Sequence, residues 1–171
     1  MSKNKKVLNA TSTIQENIKF KSILEKTIYN ALIQNNINPS YELYTFELFE
    51  GFIPITPFYD QETSKQQKQR LLSGDTSIGK QLILKNKKII SIKYTPDFYF
   101  KYNNINVYIE TKGKENDVFY IKKKLFIHYL DNKYLKTGVK SIYFEIRTKK
   151  QLLQALNILN NYGSQESFTT D

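Results

Sequence analysis

The chain has 171 residues, 40% of them hydrophobic, with 13 Tyr and 11 Phe, enough for one domain of ordinary size with a sizeable core. Lys and Arg number 26 against 16 Asp and Glu, a net charge of +10 that favours an acidic partner, nucleic acid first and an anionic membrane surface as its rival. Cys is absent and His128 is the one histidine, which excludes disulfides and thiolate sites, argues against zinc and Ser-His chemistry, and leaves any metal to carboxylates suited to Mg2+ or Mn2+.

Residues 1–13 are polar and basic and read as a flexible arm. The start "MSKNKKVLNATS" lacks the apolar core of a signal peptide. Helical spacing runs from Ile14 to Gln34, with Phe20, Leu24, Ile28, Ala31 and Leu32 on one stripe and Glu25 on its shoulder. "NNINPS" stops that helix, and the aromatic run "YELYTFELFEGF" reads as a strand. Residues 60–82 turn polar and basic and read as an excursion with one short helix. It is either a solvated insertion or a substrate-contacting loop.

From Lys88 one strand is expected, with Ile90, Ile92, Tyr94, Phe98 and Phe100 on one side. Asn103–Asn104 is the turn of a hairpin whose second strand alternates Ile105, Val107 and Ile109 with Asn106, Tyr108, Glu110 and Lys112. Asp117 can cap a helix to about Asp131, with Val118, Ile121, Leu125 and Tyr129 inward and Lys122 on the same stripe. "KSIYFEIRT" is a further strand, expected to return parallel after that helix. Thr148 and Gln151 form a capping box for a last helix carrying Leu152, Leu153, Leu156 and Leu159, which stops near Gly163 ahead of a disordered tail, 163–171. The sum is a single α/β domain over 14–162, a mixed sheet with helices on both faces.

Inside this hairpin lie three charges. Glu110 and Lys112 are two apart on one strand, hence on one face about 6.5–7 Å apart. Pairing about the Asn103–Asn104 turn puts Asp97 opposite Glu110. Two carboxylates at one point repel unless a cation or a proton joins them. A lysine beside a cation there could hold a water or neutralise charge on a phosphate. The bland alternative is an alternating hairpin with surface charges, Asp97 pairing diagonally with Lys112. The chain holds one Pro-Asp and one Glu-x-Lys, and both fall on this hairpin.

Pro96-Asp97 followed by Glu110-Thr111-Lys112 resembles the PD-(D/E)xK nuclease superfamily, and the segments "FELFEGF", "YTPDFYF", "IETKG" and "YIKKKLF" look like a family of small phage-borne proteins usually compared with Holliday-junction resolvases. The resemblance implies a restriction-endonuclease-like core of helix, three-stranded meander, helix and strand. It implies a Mg2+- or Mn2+-dependent DNA endonuclease, acting on branched DNA. Asp97, Glu110 and the Thr111 carbonyl would bind the metal, Glu25 would complete its environment directly or through water, and Lys112 would orient or activate the attacking water. Lys122, with Lys123, Lys124 and Lys114, would contact the phosphate backbone. "IKKKLF" reads equally as a solvated face, and His128, Glu145 and Arg147 as structural residues. A homodimer is expected if two strands are cut symmetrically. With no run of about 18 apolar residues, the cytoplasm is the expected location, that of the host if the chain is phage-encoded. The rival reading is a DNA-binding or virion-assembly protein that keeps the fold and does not cleave.

Overall fold

In the computed structural model, residues 12–15, 17–113 and 117–165 are described, the side chains of 163–165 excepted. Most of the expected basic arm and of the expected tail lie outside them, but Thr13 already begins a strand and the last helix runs on to Gln165, past the expected stop near Gly163. The chain divides into two compact units, one built from residues up to Leu48 and from Lys93 onward, the other from Phe49–Ile92.

The first unit opens differently from the helical reading of 14–34. β1 (Thr13–Gln15) and β2 (Ile18–Phe20) form an antiparallel ribbon, with Asn17 in the left-handed region at φ 65°, where Asn is tolerated better than most residues. The helix α1 spans only Ile23–Gln34, capped by Ser22, whose side chain accepts from the Glu25 amide. Over so short a stretch, Ile14, Ile18 and Phe20 fit a two-residue period as well as a helical one. The expected stripe survives the change: Phe20, from β2, packs with Ile28, Ala31 and Leu32 in the larger core.

The aromatic run resolves into β3 (Ser40–Tyr41) and β4 (Phe46–Phe49), broken at Glu42 with φ 45°. The expected long strand from Lys88 is likewise two, β7 (Ile92–Tyr94) and β8 (Phe98–Tyr102). Pro96 between them has no N–H to give a ladder. The break turns the chain over. Phe98 and Phe100 enter the core shared with α1, whereas Tyr94 joins a second core with Tyr108, Phe126 and Leu130. Ile90, expected inward, is 81% exposed.

β9 (Ile105–Thr111) pairs antiparallel with β8, Phe98 against Ile109 and Tyr102 against Ile105. The expected turn holds, both Asn103 and Asn104 being left-handed. After α3 (Asp117–Thr137), β10 (Ser141–Ile146) returns parallel to β9 as expected. The sheet therefore runs β10-β9-β8-β3 and is mixed. α1 and α4 (Lys149–Gln165) supply one core and α3 the other, so β9 is buried on both faces along its whole length. A helix over each face is what a mixed sheet needs to cover both apolar surfaces.

One helical stripe shifts by a residue and another holds with one exception. On α3, Phe119, Phe126 and Leu130 are buried, while Val118 and Ile121 are 49% and 58% exposed. Both series have helical spacing, and the phenylalanines remove more apolar surface from water. On α4, Leu152, Leu156 and Leu159 are buried with Ala155, but Leu153 faces out. Thr148 accepts from the Gln151 amide as expected, and Gln151 reaches back one residue further, to the Arg147 amide.

The second unit contains the expected excursion and more. β5 (Tyr59–Gln61) and β6 (Leu82–Leu84) pair antiparallel around α2 (Ser64–Leu72). A Thr63–Gln66 capping box starts α2. Gly51 is required here: a Cβ would lie 2.8 Å from both Ile89 O and Ser91 N. Among the described residues no helix is long and apolar enough to cross a membrane.

Candidate metal and catalytic site

The end of the β8–β9 pair carries the three charges. Asp97 sits in a bend immediately before β8, not within a strand. The register nonetheless extends to place it opposite Glu110. Thr111 holds it from there: the Thr111 amide and hydroxyl both donate to Asp97 Oδ2, at 2.7 and 2.6 Å. A strand that ended one residue earlier would lose both donors.

Glu110 is gripped at both oxygens. Tyr94 donates its hydroxyl proton to Oε2 at 2.8 Å, and the Lys112 ammonium donates to Oε1 at 3.2 Å. That ammonium also lies 4.1 Å from the centre of the Phe119 ring, a cation–π distance. The buried ring of α3 thus seats the lysine that directly follows β9. Asp97 and Glu110 are 9% and 7% exposed, so the alternative of a surface ion pair between Asp97 and Lys112 fails: Asp97 is buried and Lys112 turns to Glu110.

Burial and the neighbouring Glu110 charge push the Asp97 carboxyl up to about 8, against the Thr111 hydrogen bonds, which pull it down. Burial raises Glu110 as well, with Lys112 and Tyr94 opposing and the Glu25 charge adding to the rise. Desolvation and like charge act together here. Without a cation, one proton remains with the pair at neutral pH.

Glu25 approaches from α1 and is also buried, at 7% exposure. Its Oε2 accepts from the Lys21 amide at 2.7 Å and from the Tyr41 hydroxyl at 2.6 Å, and its Oε1 from Ser22 Oγ at 2.9 Å. This carboxylate closes the start of the helix as in a capping box, favourably placed for the helix dipole. The Ser-x-x-Glu pattern at 22–25 carried this information in the sequence, but a helix begun at Ile14 hides it. Nothing in the sequence marks Tyr41 or Tyr94, whose spacing reads as core. Among the described residues, no three acidic or histidine side chains are grouped closely enough to enclose an ion. The donor chemistry still fits a hard divalent cation. Two buried carboxylates repel, and Asp97 Oδ1 accepts no hydrogen bond among the described residues.

The remaining candidates spread along α3 and β10. Lys122 and Lys123 are half-buried and Lys124 exposed. Lys123 donates to Glu145 at 2.7 Å, and Arg147 meets the same carboxylate at 2.6 Å. His128 hydrogen-bonds Asn132 on the helix surface, as a structural histidine would. Lys114 lies outside the described residues. Comparison of the chain with protein-family models, with curated proteins and with solved structures finds no match.

Proposed function

We propose that the protein is a metal-dependent phosphodiesterase acting on DNA, with branched DNA as the substrate class. The observation that carries this is the pair Asp97–Glu110, buried, mutually repelling and flanked by the ammonium of Lys112. Supporting it are the Pro-Asp and Glu-Thr-Lys motifs, the net charge of +10, and the order of helix, antiparallel β3–β8–β9, helix and parallel β10, which suits a restriction-endonuclease-like core.

In this reading Asp97, Glu110 and the Thr111 carbonyl would hold Mg2+ or Mn2+, with Glu25 completing the environment through water. A bound divalent cation polarises a phosphoryl oxygen and makes bound water more acidic. The chain's own contribution is the rest. Thr111 and Tyr94 fix the carboxylates. Lys112 donates to the attacking water or to the developing charge on the phosphate. The exposed lysines supply salt-sensitive attraction to the DNA backbone.

A non-cleaving DNA-binding or assembly protein on the same fold is the second reading. It is favoured by Glu25, whose oxygens are already taken. The test is a panel of linear, nicked, flapped and four-way DNA incubated with Mg2+ or Mn2+. Wild type is expected to cut, and Lys112→Ala to lose about 100-fold or more of the rate while still binding. Binding without cutting by the wild type on every substrate selects the second reading.

A further inference from the structure

Glu110 needs a defined orientation, because β9 could present either carboxylate oxygen to its surroundings. Oε2 is taken by the Tyr94 hydroxyl at 2.8 Å. A tyrosine has one proton to give, and Tyr94 spends it on Glu110. The Tyr143 hydroxyl, 3.2 Å from that of Tyr94, must then be the donor of their mutual bond. The chain of donation runs from Tyr143 through Tyr94 to Glu110. Each bond polarises the next.

The two rings are themselves held. Tyr94 packs 4.8 Å from Phe126 and Tyr143 5.8 Å from it, centre to centre, and Phe126 is wholly buried. Tyr143 stands on β10 beside Tyr108 of β9. The hydroxyls are therefore fixed by three elements, β7, β10 and α3, before any ligand arrives.

We infer that Tyr94, directed by Tyr143, is a positioning residue that locks the Glu110 carboxylate with Oε1 turned toward Lys112, the orientation in which it would be offered to a divalent cation. This rests on the metal-site reading above for its consequence, but not for its geometry. Outer partners that orient a ligating group commonly change metal affinity by about 10–100-fold when removed.

The experiment uses full-length wild type, Tyr94→Phe and Tyr143→Phe, which keep the rings and delete only the hydroxyls. Three-bond NMR couplings read the Glu110 side-chain rotamer in metal-free protein, and Mn2+ titration read by EPR gives the affinity. One rotamer is expected in the wild type and averaging in Tyr94→Phe, with Mn2+ affinity lower by about tenfold and a smaller loss in Tyr143→Phe. A single unchanged Glu110 rotamer in Tyr94→Phe overturns the positioning role, whatever the cation does. Absence of Mn2+ binding by the wild type overturns the metal reading instead, and the rotamers then decide the positioning role alone. Should Tyr94→Phe fail to fold, unchanged rotamers and affinity in Tyr143→Phe overturn the proposal.

Discussion

The buried carboxylates of the two units show how differently a buried charge can be treated. Glu62, in the second unit, has a side chain only 2% exposed. Arg70 reaches it through both Nε and Nη2, and the Gln81 amide adds a further bond. The guanidinium also meets Asp75 and the carbonyls of Ser77 and Gly79. Every charge is answered, and Arg70 holds Glu62 below the usual carboxylate range. Asp97 and Glu110 are also buried, the one ammonium at the pair goes to Glu110, and both are raised. A satisfied pair closes a loop. Two buried carboxylates that share a single ammonium remain short of positive charge, and perturbed acids of this kind mark sites more often than paired ones do.

The sharpest way to break the contrast is Asp97→Asn. It removes the repulsion and, on the proposed function, a metal ligand together. DNA cleavage should fall by about 100-fold or more, while the metal-free protein at pH 8 unfolds at higher denaturant than wild type. A cleavage rate that stays within a few-fold of wild type would sink the assignment.

Next in size is pH. The folded state keeps a proton on Asp97 that the unfolded chain releases above its ordinary range near 4. That stabilisation is complete below this range and is lost as pH rises through about 8. Metal-free stability should therefore fall between pH 4 and 8, by at most about 1.4 kcal/mol per pH unit, and saturating Mg2+ should flatten the slope. Glu62 carries the opposite sign: its lowered carboxyl stabilises above the ordinary range and stops doing so as pH falls through it. Hydrogen exchange resolved by residue can read the two units separately.

A smaller effect is expected from Glu62→Gln. It should speed exchange of the Gln81 amide several-fold and leave DNA cleavage unchanged, since that charge serves the loop alone. Loss of cleavage in this variant would join the two carboxylates that the comparison separates. Phe119→Leu is the mildest change. It removes the ring beneath Lys112 and should slow cleavage by about two- to fivefold, the value of one partly exposed cation–π contact.

Much of this was legible in the chain. Alternation about Asn103–Asn104 determined the register that sets Asp97 against Glu110, because a two-residue turn leaves a strand pair little freedom to slip. The α/β order and the parallel return of β10 followed from the spacing of apolar residues. What only the tertiary structure decided was burial and partnership. Period-two alternation looks the same on a solvated face and on a face covered by a helix, so the burial of β9 on both sides appeared only once α3 lay across it. Competing periodicities hid the β1–β2 ribbon and with it the Ser22 cap that occupies Glu25. The hydroxyl of Tyr94 has no signature at all in sequence. Its ring reads as core and packs as core, and its proton reaches Glu110 because the Pro96 break swings β7 onto the face of the sheet opposite Phe98.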